Sequence, residues 1–154
     1  MQLTLDSPNE KMTEHLALHL AKTLSAPLII GFSGEIGAGK TTFIRAMLRA
    51  LGILGAIKSP TYSLVESYFT KDLQIHHFDL YRIQEDAELE YIGFRDYFTT
   101  QAICCIEWPE KAQISLDAID LQLTLSTQNT ARKIQMRAKN SAGYNVLTLF
   151  SGAL

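Results

Sequence analysis

Eight consecutive residues, Gly34-Glu35-Ile36-Gly37-Ala38-Gly39-Lys40-Thr41, set three glycines, a lysine and a hydroxyl at a fixed spacing. Gly, four residues, then Gly-Lys-Thr is the Walker A pattern of a phosphate-cradling loop. The glycines let the backbone curl until successive N–H groups point inward and form an anion-binding concavity. Such a loop works only between a buried strand and a helix, whose free N–H groups and positive dipole end complete the cradle. Both neighbours can be read here. Leu28, Ile29, Ile30, Gly31 and Phe32 form an apolar strand before the loop. After it a helix is predicted over 40–51, with Phe43, Ile44, Met47, Leu48 and Leu51 on one face and Gly52 as its stop. In this frame Lys40 carries a mobile positive charge for the β- and γ-phosphates, and the Thr41 hydroxyl is placed to ligate Mg²⁺.

The rest of the chain extends the same alternation. Leu3 and Leu5 alternate with polar residues in a short first strand. Ser7, Pro8 and Glu10 have the form of a capped helix start, and the helix runs to about Ser25 with Met12, Leu16, Leu20 and Leu24 on one side. Strands are predicted over 63–69, 73–79 and 102–107, helices over 85–91 and 94–98, and a late antiparallel pair over 119–126 and 132–137. Residues 144–150 fit helix and strand equally. These elements predict an α/β, P-loop NTPase-like domain over 1–154, with a central, mostly parallel sheet flanked by helices and antiparallel strands toward the C-terminus.

Composition narrows the function. Of 154 residues, 47% are hydrophobic and 19% charged, enough apolar material for a core. The net charge of -2 comes without a basic stripe, so any nucleic-acid role is expected to be indirect. Met1 to Asp6 show no basic region leading into an apolar stretch, and no apolar run is long enough to span a bilayer, so a cytoplasmic protein is expected. Cys104 and Cys105 are neighbours in an apolar run, which reads as a buried, reduced strand.

A phosphate cradle needs a further acidic group for Mg²⁺, commonly at the end of a neighbouring strand. Asp79 and Glu107 both end predicted strands. No Asp-x-x-Gly switch and no Asn-Lys-x-Asp guanine reader occurs, which turns the base preference to ATP. His15 and His19 lie four apart on the first helix but lack a third ligand, and read as surface histidines. His76 and His77 point to opposite faces of their strand, so one of them can lie near the nucleotide. Arg45 and Arg49 read as solvated, whereas Arg82, just past Asp79, is a candidate for a phosphate or a partner.

Taken together, Gly34 to Thr42, Ser59-Pro60-Thr61-Tyr62, His77-Phe78-Asp79-Leu80-Tyr81-Arg82 and Ile106-Glu107-Trp108-Pro109-Glu110 resemble, in order and spacing, the bacterial TsaE (YjeE) family. The likeness covers the chain from Leu3 to about Lys111. Ile36 stands where that family more often has Leu, and no diagnostic motif follows Lys111. The resemblance implies an ATPase of tRNA threonylcarbamoyladenosine biosynthesis that works with the TsaD–TsaB pair, touches tRNA only indirectly and stays off the membrane. It implies nucleotide contacts from Gly34, Glu35, Ile36, Gly37, Ala38, Gly39, Lys40, Thr41 and Thr42. Lys40, Asp79 and Glu107 would be the catalytic residues, and Thr41 and Glu107 would hold the metal. Thr61 would belong to a nucleotide-sensing switch loop and Trp108 would pack near the nucleotide. The roles of Asp79 and Glu107 are interchangeable at this level. Two rivals share the loop: a small-molecule kinase, which would need an arginine-rich lid, and a nucleotide-binding switch without hydrolysis.

Overall fold

The computed structural model describes residues 1–154, with seven strands. They are β1 (Gln2–Ser7), β2 (Leu28–Ser33), β3 (Val65–Phe69), β4 (Gln74–Asp79), β5 (Ala102–Glu107), β6 (Leu121–Gln128) and β7 (Ala131–Ala138). The helices are α1 (Glu10–Ala21), α2 (Lys40–Ala50), α3 (Asp86–Tyr91), α4 (Gln113–Ala118) and α5 (Ser141–Gly152), with 3-10 turns at Phe94–Tyr97 and Pro109–Lys111. All seven strands join one sheet in the order β1-β7-β6-β2-β5-β4-β3. β6, β2, β5 and β4 are parallel to their neighbours in that block, while β7 and β1 on one side and β3 on the other are antiparallel.

Burial follows from this topology. β5 lies inside the parallel block and every one of its residues is buried, as expected of a strand covered on both faces. Its side chains divide by parity. Ile103 and Cys105 join the larger apolar cluster with Leu16, Leu20, Phe43, Met47 and Phe150. Ala102, Cys104 and Ile106 join the smaller one, with Phe78, Leu89 and Phe94. Thus α1, α2 and α5 cover one face, and α3 with the 3-10 turn at Phe94–Tyr97 covers the other. Both cysteines are fully buried and free. Burial pushes the Cys104 thiol up to about 12, with a smaller contribution from Asp120. No helix is long and apolar enough to cross a membrane.

Several local expectations change on contact with the tertiary structure. Ser7 does not cap α1. Its pairing with Arg132 keeps it in β1, and its hydroxyl lies 2.6 Å from Thr13 Oγ1 and donates to the Asn9 carbonyl. Asn9 is the cap, its side chain accepting from the Met12 N–H at 2.9 Å. The helix ends at Ala21 instead of near Ser25. Its buried stripe is Thr13, Leu16, Ala17, Leu20 and Ala21, which leaves Met12 exposed. Antiparallel pairing is not confined to the C-terminal side, because β3 closes the opposite edge on β4. Residues 144–150 are helical, within α5, and α4 is an element that the periodicity did not reveal.

The first turn of α5 docks on the β6 side through Asn140, which caps Gly143 and donates from Nδ2 to Asp120 Oδ1 at 2.6 Å. A Cβ on Gly143 would run into the Asp120 carbonyl oxygen. Helix propensity favours Ala over Gly by about 1 kcal/mol, but backbone cannot step aside as a side-chain tip can. We therefore expect Gly143→Ala to lower stability by about 1–3 kcal/mol, read as a fall in the urea midpoint at unchanged m-value.

Candidate phosphate and metal site

The loop between β2 and α2 takes its shape from its glycines. Gly34, Gly37 and Gly39 have φ of 142°, 83° and 101°, a region open to glycine and strained for other residues. A Cβ on Gly34 would meet the Leu125 carbonyl, whereas one on Gly37 would meet open space. Gly39 is the N-cap of α2 and brings no side chain to its first turn. The first helical bond runs from the Phe43 N–H to the Gly39 carbonyl at 2.9 Å. The N–H groups of Lys40, Thr41 and Thr42 therefore lie at an uncapped helix start, where an anion is the natural partner.

Parallel pairing sets the acidic groups beside this loop. Glu107 is in register with Phe32 of β2 and with Asp79 of β4, so both carboxylates leave the carboxyl ends of strands next to the one that feeds the loop. The Trp108 N–H then donates to the Phe32 carbonyl at 3.1 Å and locks the end of β5 onto β2. Trp108 has a φ of 57°, which is costly for an aromatic residue. That backbone turns its ring to 4.3 Å from Lys40 Nζ and 5.1 Å from the Tyr81 ring.

One cavity of about 550 Å³ is lined by Ile36, Gly37, Gly39, Lys40, Thr41, Thr42, Thr61, Asp79, Glu107 and Trp108 together. Gly34, Glu35 and Ala38 are not among its lining residues. The carbonyls of Gly34 and Glu35 accept from Lys40 Nζ, and Ala38 is fully buried beneath the loop. Thr41 Oγ1 donates to Glu107 Oε1 at 3.2 Å. Thr61, from the loop before β3, donates to Asp79 Oδ2 at 3.3 Å, while Asp79 Oδ1 accepts from the Tyr81 N–H at 3.0 Å. Arg82 lies outside this wall, its guanidinium 4.4 Å from the Tyr62 ring. Arg45 is exposed, and Arg49 closes the end of α2 by donating to the carbonyls of Ile53 and Gly55.

Five lining residues have no counterpart in the sequence reading of the site: Glu10, Thr13, Tyr81, Thr130 and Arg132. Tyr81 lies within a quoted motif and its ring faces Trp108. Arg132 donates from Nη2 to the Gly37 carbonyl at 3.2 Å across 95 residues of sequence. Glu10 and Thr13 arrive with the start of α1. Only the pairing of β1 and β6 with β7 brings Glu10, Thr13, Thr130 and Arg132 to the loop, and no local pattern announces them.

Electrostatics divide the cavity. Burial lowers the Lys40 ammonium below its usual range, and Glu107, Glu110, Asp79 and Glu35 oppose that in turn. A desolvated cation held by carbonyls and an aromatic face is complemented by an incoming anion. Hard oxygen donors, the Thr41 hydroxyl and the Glu107 carboxylate with Asp79 beside them, suit Mg²⁺. No group of three or more His, Cys, Asp or Glu side chains is arranged to hold a metal. Two or so protein ligands, completed by phosphate and water, are how Mg²⁺ is commonly held.

Such a cradle, at the carboxyl edge of a parallel block, is that of a P-loop NTPase-like α/β protein. A model of the family described as "Threonylcarbamoyl adenosine biosynthesis protein TsaE" matches residues 7–135, and the chain belongs to that family. The "tRNA threonylcarbamoyladenosine biosynthesis protein TsaE" of Haemophilus influenzae is 43% identical over 136 residues, 88% of this chain and 84% of that one. Its namesake in Bacillus subtilis is 30% identical over 124 residues, 80% of this chain and 77% of that one. The crystal structure of Bacillus subtilis YdiB shares the fold, with a TM-score of 0.83 at 24% identity, covering 99% of this chain and 96% of that one.

Asp79 yields a test of the site's electrostatics. Burial raises its carboxyl above the ordinary aspartate value, the Glu107 charge adds to this, and the bonds from Tyr81 and Thr61 oppose it. The folded protein thus binds the proton more tightly than the unfolded chain. The ionised group carries a stability penalty that is complete above the raised pKa and disappears as pH falls through it. Asp79→Asn is expected to melt above the wild type at pH 8, with the gap closing as pH drops into the carboxylate range. A variant that melts lower at pH 8 would mean that the two hydrogen bonds outweigh burial.

Proposed function

We propose that this chain binds Mg-ATP in the cavity and hydrolyses it as the ATPase of tRNA threonylcarbamoyladenosine biosynthesis, supporting turnover of the TsaD–TsaB pair in the cytoplasm. The observation that carries the reading is the meeting of Lys40 and Thr41, from the start of α2, with Asp79 and Glu107, from the ends of β4 and β5, in one cavity. The names of the relatives, each a tRNA threonylcarbamoyladenosine biosynthesis protein, support assigning the cavity to that process.

The residues divide the work by position. The uncapped N–H groups of Lys40, Thr41 and Thr42 and the loop from Gly34 to Gly39 would receive the phosphates. Lys40 would exchange the carbonyls of Gly34 and Glu35 for phosphate oxygens, which returns a countercharge to its desolvated ammonium. Thr41 and Glu107 would hold Mg²⁺, which when bound neutralises phosphate charge. Asp79, with its raised proton affinity, is suited to orient water and accept its proton. Thr61 ties the loop before β3 to that carboxylate, as a sensor of the terminal phosphate would require. Trp108 walls the cavity over Lys40. With a net charge of -2 the chain is better suited to a protein partner than to gripping tRNA by itself.

Arg132, the arginine of the cavity wall, already donates to the Gly37 and Ala131 carbonyls. The positive charge that speeds hydrolysis in other P-loop systems would then come from a partner, where it is worth ~10³–10⁵ in rate. ATP turnover by the purified protein should be slow alone, rise on adding TsaD–TsaB, and vanish in Lys40→Ala. Turnover that ignores the pair would remove the proposed partnership while leaving an ATPase. A phosphorylated metabolite as product would replace hydrolysis with a kinase reaction.

A further inference from the structure

The two adjacent histidines of β4 face opposite sides of the sheet. His76 lies on the smaller cluster's side, where Nδ1 meets Ser67 Oγ at 2.7 Å and the ring packs edge-on against Tyr97. His77 lies on the cavity side and is only 1% exposed. Its Nε2 is 2.7 Å from Glu107 Oε2, the buried carboxylate whose other oxygen takes the Thr41 hydroxyl. A carboxylate only accepts, so Nε2 carries the proton and donates. Nδ1 is buried and has no hydrogen-bond partner.

The unpartnered Nδ1 is a cost to stability. An apolar side chain on this face of β4 would extend the core beside Ile75 and Cys105, but it would leave the buried Glu107 Oε2 without its donor. What the imidazole contributes is a fixed donor at one oxygen of Glu107. With Oε2 held by His77, the carboxylate cannot rotate freely and Oε1 is turned to Thr41.

We propose that His77 is a positioning residue: through Glu107 it sets the affinity of the Thr41–Glu107 pair for a divalent cation. The inference rests on the Mg-ATP reading of the cavity and adds a residue to it. Outer-shell hydrogen bonds to metal ligands act in this way, and their loss typically weakens metal binding by about 10–100-fold.

The test compares His77→Ala and His77→Gln with the wild type. The Gln amide can place an N–H near the Nε2 position, whereas Ala leaves no donor. Mg²⁺ is titrated into protein with ATP, and ATP into protein in EDTA. Both are followed by the fluorescence of Trp108, the chain's single tryptophan, on the cavity wall. In His77→Ala the Mg²⁺ half-saturation should rise by about 10–100-fold, ATP affinity in EDTA should hold, and His77→Gln should recover most of the loss. If thermal melts show that the Ala variant does not fold, His77→Phe takes its place, filling the volume without a donor.

An unchanged Mg²⁺ half-saturation in the variant without a donor overturns the proposal. So does an equal loss with and without Mg²⁺, which would mark a merely structural role, or a folded Gln variant no better than the one without a donor. A wild type that shows no Mg²⁺-dependent ATP binding overturns the Mg-ATP reading itself, and this inference falls with it. The wild-type titration therefore separates the two failures.

Discussion

The register of β5 between β2 and β4 is the constraint on which the site depends. Glu107 stands opposite Phe32 on one side and Asp79 on the other. A slip of one residue would turn Glu107 to the opposite face and bring Ile106 to its place. The burial of all six β5 residues prevents that slip, because Ile103 and Cys105 fill one core cluster while Ala102, Cys104 and Ile106 fill the other. Packing at the centre of the sheet thereby fixes chemistry at its edge. The bond from the Trp108 N–H to the Phe32 carbonyl carries the same register past the end of the strand.

The polar groups around the loop form a chain with few free ends. Thr41 is joined to Glu107 and Glu107 to His77, while Thr61 is joined to Asp79 and Asp79 to the Tyr81 backbone. Each carboxylate is thus held by two donors. Polar groups this buried are tolerated when satisfied and are costly when not, and the orphan Nδ1 of His77 is the exception within the chain.

Legibility in the sequence followed the range of the interaction. The loop from Gly34 to Thr41 was readable because its glycines, lysine and hydroxyl act within a single turn. Asp79 and Glu107 could be picked out because each ends an apolar run, although their register across the sheet could not. Asn9 took the cap expected at Ser7 because pairing with β7 outweighs a local capping pattern, and 144–150 was ambiguous because a short apolar run fits either period. Arg132, Thr130, Glu10 and Thr13 carried no signal at all. Their place at the cavity depends on pairings between the two ends of the chain. The partner of His77 was hidden for a similar reason, since alternation gives a side chain's face but not what stands opposite it.

The resting posture of Lys40 has a consequence of its own. Its ammonium has already left bulk water and lies among the Gly34 and Glu35 carbonyls and the Trp108 ring. An arriving anion would therefore not strip a hydrated cation. It would displace neutral partners from one that is already partly desolvated, so part of the dehydration that a surface lysine undergoes during binding takes place here during folding. The two loop carbonyls are the neutral partners that such an anion would replace. On the proposed reading, an anion would fit this cradle to the extent that it offers the ammonium acceptors in place of both carbonyls.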